Sequence, residues 1–166
     1  MNTPKTGIYA ASLTPFTASY KPEISVLISH VQWLLENGCR VVHLTGKNDC
    51  FYRDISKVKN HPNLVLRHFS NEISALLQNA DLAISRAGSG AICELIVTKT
   101  PSVLIPFPQS ADNHQEVNAA YMARFGGAII VNQHNPEEHI LKNILFKLLS
   151  SNALMKMKSN MNNYDF

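Results

Sequence analysis

With 166 residues, 45% of them hydrophobic and 16% charged, the chain has the composition of one globular domain with a real core and not of a disordered segment. Its net charge of +3 is mild and its basic residues are mostly isolated, with only a small cluster at Lys156 and Lys158, which excludes the basic face of a nucleic-acid binder. No apolar run reaches membrane-spanning length, and Cys39, Cys50 and Cys93 lack C-x-x-C spacing, so the thiols fit a reducing cytoplasm with no disulfide framework.

In chain order, Gly7 to Leu13 is a candidate strand ended by Thr14-Pro15, too short and too quickly polar for a secretory signal. Pro22 suits the first turn of a helix, and Ile24, Leu27, Ile28, Val31, Leu34 and Leu35 recur on one face, with Gly38 as C-cap. Val26 and Trp33 lie off that stripe, so the helix is expected to bury more than one face. Val41 to Leu44 follows as an apolar run. Thr45-Gly46-Lys47 is no P-loop, because the upstream glycine and the following Ser/Thr are missing, and Lys47 reads as a solvated loop charge. Between Asn48 and Asn60 the pattern is weak, with Phe51, Ile55 and Val58 as inward residues of a short helix. Asn63 to Arg67 reads as a strand, and Ser70 as the N-cap of a helix carrying Ile73, Leu76 and Leu77.

The most informative stretch runs from Asp81 to Gly127. Leu82-Ala83-Ile84 ends in Ser85-Arg86, then the turn Ala87-Gly88-Ser89-Gly90, a helical pattern over 91–97, a break at Thr98 to Pro101, and a second strand-like run, Ser102 to Ile105. This is a βαβ unit. Two glycines at the strand-to-helix turn allow close backbone approach to a ligand, and the helix N-terminus beyond favours an anion such as phosphate. Glu94, one turn into the helix, can accept hydrogen bonds from sugar hydroxyls. Plain turn geometry explains the same glycines, and the spacing is not the dinucleotide fingerprint, so the residues alone leave both readings open. After Pro106-Phe107-Pro108-Gln109, Asp112 can cap a helix bearing Gln115, Glu116 and Asn118. Ligands of open α/β sheets sit beyond the carboxyl ends of the strands, which would set this segment across one crevice from Gly88 to Gly90. Ala128 to Val131 reads as a strand. Asn135-Pro136-Glu137-Glu138 starts a helix with the stripe Ile140, Leu141, Ile144, Leu145, Leu148 and Leu149, and Ser150 to Phe166 reads as a tail able to fray. The seven histidines form no paired-ligand spacing, so no metal and no cofactor are expected.

The segments SRAGSGAICEL, TPSVLIPFPQSADNHQEVNAAYM and GGAIIV resemble the C-terminal, nucleotide-sugar-binding domain of the MurG family of bacterial glycosyltransferases, over about residues 38–150. That family transfers N-acetylglucosamine from UDP-N-acetylglucosamine to lipid I in peptidoglycan synthesis, and associates peripherally with the cytoplasmic face of the inner membrane. The resemblance implies that Glu94 bonds the ribose and that Gly88, Ser89, Gly90 and Ala91 approach the donor through backbone. It also implies that Ser70 contacts uracil and Gln115 the sugar, with Arg86 and Asn118 as further candidates. Arg86 has the alternative of pairing with a nearby carboxylate.

Residues 7–39 instead resemble the opening strand and helix of the dihydrodipicolinate synthase and N-acetylneuraminate lyase family, so the chain reads as a composite joined near Gly38-Cys39. The Schiff-base lysine of that family has no counterpart here, which weighs against an aldolase. Where the MurG family carries a glycine-rich loop that cradles the donor's diphosphate, this chain has Ser12 to Thr17 with Pro15 inside it.

The expected fold is a Rossmann-like α/β domain, the C-terminal half of a GT-B glycosyltransferase, with five or six mostly parallel strands flanked by helices. One domain is expected over 1–166, divided into 1–39, 40–150 and the tail 151–166. The expected function is weak recognition of UDP-N-acetylglucosamine, without activity by this chain alone. The alternatives are a composite α/β module without ligand, or an aldolase-family fragment.

Overall fold

The computed structural model describes residues 8–11, 24–45, 58, 60–132 and 138–162. Six strands form one sheet: β1 (Ile8–Ala11), β2 (Val41–Leu44), β3 (Leu64–Arg67), β4 (Leu82–Ser85), β5 (Ser102–Leu104) and β6 (Ala128–Ile130). Their spatial order is β3-β2-β1-β4-β5-β6, and every pairing is parallel. The expected Rossmann-like parallel sheet is thus present, and β1 lies at its centre, with Ile8 opposite both Val41 and Leu82. The chain moves outward from β1 through β2 to β3, then returns to place β4 on the other side of β1. The switch point between β1 and β4 opens a crevice at the carboxyl ends of the strands, where such sheets bind ligands.

The helices are α1 (Ile24–Glu36), α2 (Ile73–Gln78), α3 (Ser89–Thr98), α4 (His114–Arg124), α5 (Glu138–Ser150) and α6 (Ala153–Asn162). Side chains alternate across the strands, and both faces are buried, as parallel sheets require. Leu82, Ile84 and Val103 join a core with Leu27, Val31, Leu34 and Leu35 of α1 and Leu145 and Leu148 of α5. Ala83 and Leu104 join a second core with Leu77 of α2, Ile92 and Leu95 of α3, and Ala119 and Met122 of α4. Each fully buried Leu contributes about 1.5–3 kcal/mol relative to exposure.

Several sequence expectations hold and several need correction. Leu27, Val31, Leu34 and Leu35 of the α1 stripe are buried as expected and Ile28 half-buried, Val26 and Trp33 are half-buried off it, and Gly38 ends the helix at φ +77 with Cys39 N–H donating to Leu34 O (3.0 Å). Residues 153–162, expected to fray, instead form α6, with Met157 in the first core and Met161 in the second. The methionines supply the apolar stripe that a search for Leu, Ile and Val passes over. Ser70 does not cap α2: Glu72 occupies that position, and Ser70 Oγ accepts the Glu72 N–H at 3.1 Å in a turn ahead of the helix. Asp112 does not cap α4 either. It lies in a 3-10 turn, Ala111–Asn113, at φ 50, and Asn113 occupies the cap position at φ 53 without a side-chain bond. The hydroxyl that serves the helix start is Ser110 Oγ, which accepts the Gln115 N–H at 3.3 Å. The Ser12–Thr17 loop, Lys47, Phe51, Ile55 and the Asn135 cap lie outside the described residues, and Val58 is buried in the first core.

Candidate functional site

Because all six strands are parallel, the segments after each of them open on one edge of the sheet. The β4–α3 turn and the β5–α4 loop stand next to each other there.

The turn leaves open space in front of its backbone. Gly88, the N-cap of α3, has φ −65 and ψ 151, a conformation open to any residue. A Cβ added at Gly88 or Gly90 would meet nothing within 4 Å. Neither backbone strain nor internal packing therefore requires glycine at these positions, although each glycine costs conformational entropy on folding. The first helical bond of α3 is Ile92 N–H to Gly88 O (3.0 Å), so the N–H groups of Ser89, Gly90 and Ala91 stand ahead of the ladder with no side-chain cap. Ser89 and Gly90 are exposed, and Gly88 and Ala91 half-buried. Glu94 follows one turn on, half-buried, and no partner for its carboxylate lies among the described residues.

The facing loop is held by amides whose orientation the protein fixes. Phe107 N–H donates to Gln115 Oε1 at 2.9 Å. A backbone N–H can only donate, so the bonded atom is the side-chain oxygen, which keeps one lone pair, and Nε2 is left with both of its protons. Asn118 Nδ2 donates to Ala87 O at 2.9 Å, which ties α4 to the glycine turn and leaves Oδ1 as an acceptor. Gln115 and Asn118, both half-buried, thus stand three residues apart on one helix face, with the donor end of one and the acceptor end of the other unbonded among the described residues.

Arg86, in which the sequence suggested a carboxylate partner or a donor contact, reaches across to the loop. Its Nη1 donates to Ile105 O (3.1 Å) and Pro106 O (3.3 Å), and its guanidinium lies 5.7 Å over the Phe107 ring. Burial pulls its pKa down from the ordinary arginine value by desolvating the cation.

Gly88 to Ala91, Glu94, Gln115, Asn118 and Arg86 are therefore brought together at the carboxyl ends of β4 and β5 by direct bonds or by adjacency. Ser70 stands apart from that network: it is buried beyond the carboxyl end of β3, on the other side of β1, and its hydroxyl is used locally. Sequence reasoning missed Thr45, buried at the end of β2, whose Oγ1 lies 3.2 Å from His68 Nδ1 and 3.5 Å from Arg67 O. Its signal was a polar residue directly after an apolar strand run, at the end where ligands bind. Sequence reasoning also missed Ser110 and the backbone of Phe107, whose roles depend on contacts five and eight residues away. A cavity of about 240 Å³ lined by Pro106, Pro108, Glu116, Ile130 and Asn132 lies beside β6, and none of the expected site residues lines it. No group of three metal-ligating side chains occurs among the described residues, and no helix among them is long and apolar enough to cross a membrane.

Comparison with known proteins gives this architecture a family. The glycosyltransferase family 28 C-terminal domain matches residues 21–166, and the chain belongs to that family. A curated relative from Prochlorococcus marinus (strain NATL2A), named UDP-N-acetylglucosamine–N-acetylmuramyl-(pentapeptide) pyrophosphoryl-undecaprenol N-acetylglucosamine transferase, is 75% identical over 133 residues, 80% of this chain. The enzyme of the same name from Synechococcus sp. (strain CC9605) is 58% identical over 120 residues, 72% of this chain. The chain spans 38% and 32% of the lengths of these two relatives. Among solved structures, Acinetobacter baumannii MurG superposes with a TM-score of 0.71 at 22% identity, covering 99% of this chain and 46% of that one, which supports the shared GT-B fold. The MurG-like character expected from the sequence is thereby established, and the relatives leave the aldolase-like reading of residues 7–39 unaddressed.

Proposed function

We propose that this family 28 domain is the donor-binding half of a glycosyltransferase and takes UDP-N-acetylglucosamine in the crevice between the β4–α3 turn and α4. The observation that carries the reading is the pair Gly88 and Gly90, glycines with open space where a side chain would stand. The three N–H groups beyond them supply an anion cradle for the diphosphate. The Glu94 carboxylate accepts from the ribose hydroxyls. Gln115 Nε2 as donor and Asn118 Oδ1 as acceptor suit adjacent hydroxyls of a pyranose, each of which can accept and donate. Ser70 and its neighbours serve the uracil through backbone. The names of the relatives support the same donor.

The chemistry available from these residues is binding and orientation. Hydrogen-bond donors at the diphosphate stabilise the charge that develops there when the glycosidic bond to the leaving nucleotide breaks. Transfer to lipid I, and the residence of the whole enzyme at the cytoplasmic face of the membrane, belong to the same proposal. They require an acceptor surface that these 166 residues do not supply, so the chain alone is expected to show no measurable transfer to a lipid I analogue. Turnover on the order of 1 per second would overturn that part.

Titration with UDP and UDP-N-acetylglucosamine tests the donor site. Binding is expected in the millimolar range, about −4 kcal/mol or less favourable, because the loop after β1 carries Pro15 and no glycine. Glu94→Ala should abolish it. Binding indifferent to Glu94→Ala, or none at all, favours a folded module without ligand. Micromolar binding would mean that residues 12–17 contact phosphate after all.

A further inference from the structure

Pro106 O and Phe107 N–H belong to one peptide group, and two different elements hold it from opposite ends. Arg86 Nη1, at the end of β4, donates to its oxygen (3.3 Å) and to Ile105 O (3.1 Å). Gln115 Oε1, on α4, accepts from its nitrogen (2.9 Å). The Phe107 ring beyond the same peptide lies under the guanidinium, 5.7 Å from its centroid. Pro106 is buried and Phe107 half-buried, so this grip operates largely out of water. A cation on a carbonyl oxygen polarises the whole amide and makes its N–H a better donor, and the effect grows where water is excluded. One guanidinium nitrogen serves two successive carbonyls while the delocalised cation stands over the ring, and a lysine ammonium would keep the charge but not the planar face.

From this geometry we infer that Arg86 is a positioning residue that acts through the Pro106–Phe107 peptide to lock the Gln115 side chain in one flip, with its oxygen on that peptide and its amide nitrogen presented as donor. The effect of Arg86 falls on the sugar and not on the nucleotide, since Gln115 is the group it fixes, and this last step rests on the donor-site reading given above. Without the grip, Gln115 is free to turn its oxygen outward, and a site that had offered one donor then offers either character.

The test has one arm that needs no ligand. In Arg86→Met, hydrogen exchange of the Phe107 amide should speed up by about tenfold or more, while the Ile84 amide in β4 keeps its rate. Arg86→Lys, which retains charge and one donor, should fall between, and it carries the same readout if the methionine variant fails to fold. Gln115→Glu should leave Phe107 protected, because a carboxylate accepts that N–H equally well. In the ligand arm, Arg86→Met and Gln115→Glu should each weaken UDP-N-acetylglucosamine by about fivefold, the worth of one hydrogen bond, and leave UDP within about twofold. Unchanged Phe107 exchange in both Arg86 variants overturns the inference, as does an equal loss for UDP and for the sugar nucleotide. If the exchange results come out as expected but wild type binds neither nucleotide, the grip stands and the donor-site reading fails.

Discussion

The chain has two closely spaced pairs of glycines, and they are there for opposite reasons. At Gly126 and Gly127, between α4 and β6, the space is taken. Gly126 has φ +68, a Cβ on it would run into the Asn160 amide, and a Cβ on Gly127 would lie 2.7 Å from Met161 Cγ and 2.8 Å from its sulfur. These glycines let α6 dock, and Asn160 Nδ2 donates to Gly126 O at 3.5 Å across the contact. At Gly88 and Gly90 the space is open and the backbone is ordinary. One pair is explained by the fold. The other is left over once the fold is accounted for, and it is this unexplained pair on which the proposed donor site rests.

The largest effect should come from Gly127→Ala. Met161 is buried in the second core, so α6 must shift to admit the methyl group, at a cost of about 1–3 kcal/mol read from the urea midpoint. A neutral result would mean that α6 yields freely, and the contrast between the pairs would lose one side. Asn118→Ala comes next. It leaves the buried Ala87 carbonyl without its 2.9 Å bond and should lower stability by about 1 kcal/mol, because the open turn is held in place from α4. No loss of stability would show the turn to be self-supporting. Gly90→Ala should have the smallest effect on stability, with the opposite sign: a gain of about 0.5–1 kcal/mol, since alanine suits the first turn of α3 better than glycine. The same variant should reduce UDP binding, because the methyl group occupies the space the diphosphate approaches. Stabilisation with undiminished binding would remove the open pair from the site.

Legibility in the sequence followed the same division. The βαβ order, α1 with its Gly38 cap, the buried stripe of α5 and the placing of Gly88 to Glu94 at a strand-to-helix turn could all be read, because each depends on residues within a few positions of one another. The caps at Ser70 and Asp112 were misread, because both residue types accept backbone N–H groups just as well in a turn one step earlier. Ser110 does the work expected of Asp112. The tail was misread because Met157 and Met161 make a stripe only when two cores are there to receive them.

By itself the sequence determined the strands, the helices ahead of α6, their parallel wrapping and the family, since hydrophobic period, turn chemistry and long motifs are local properties that survive without knowledge of the fold. The tertiary structure alone decided which partners the candidate site residues hold. Arg86 and Phe107 are 21 positions apart and Ala87 and Asn118 are 31 apart, and only the crossover through α3 that lays β5 beside β4 brings them together. Which end of an amide faces the crevice, and which glycine has empty space before it, are settled by neighbours that no local pattern names.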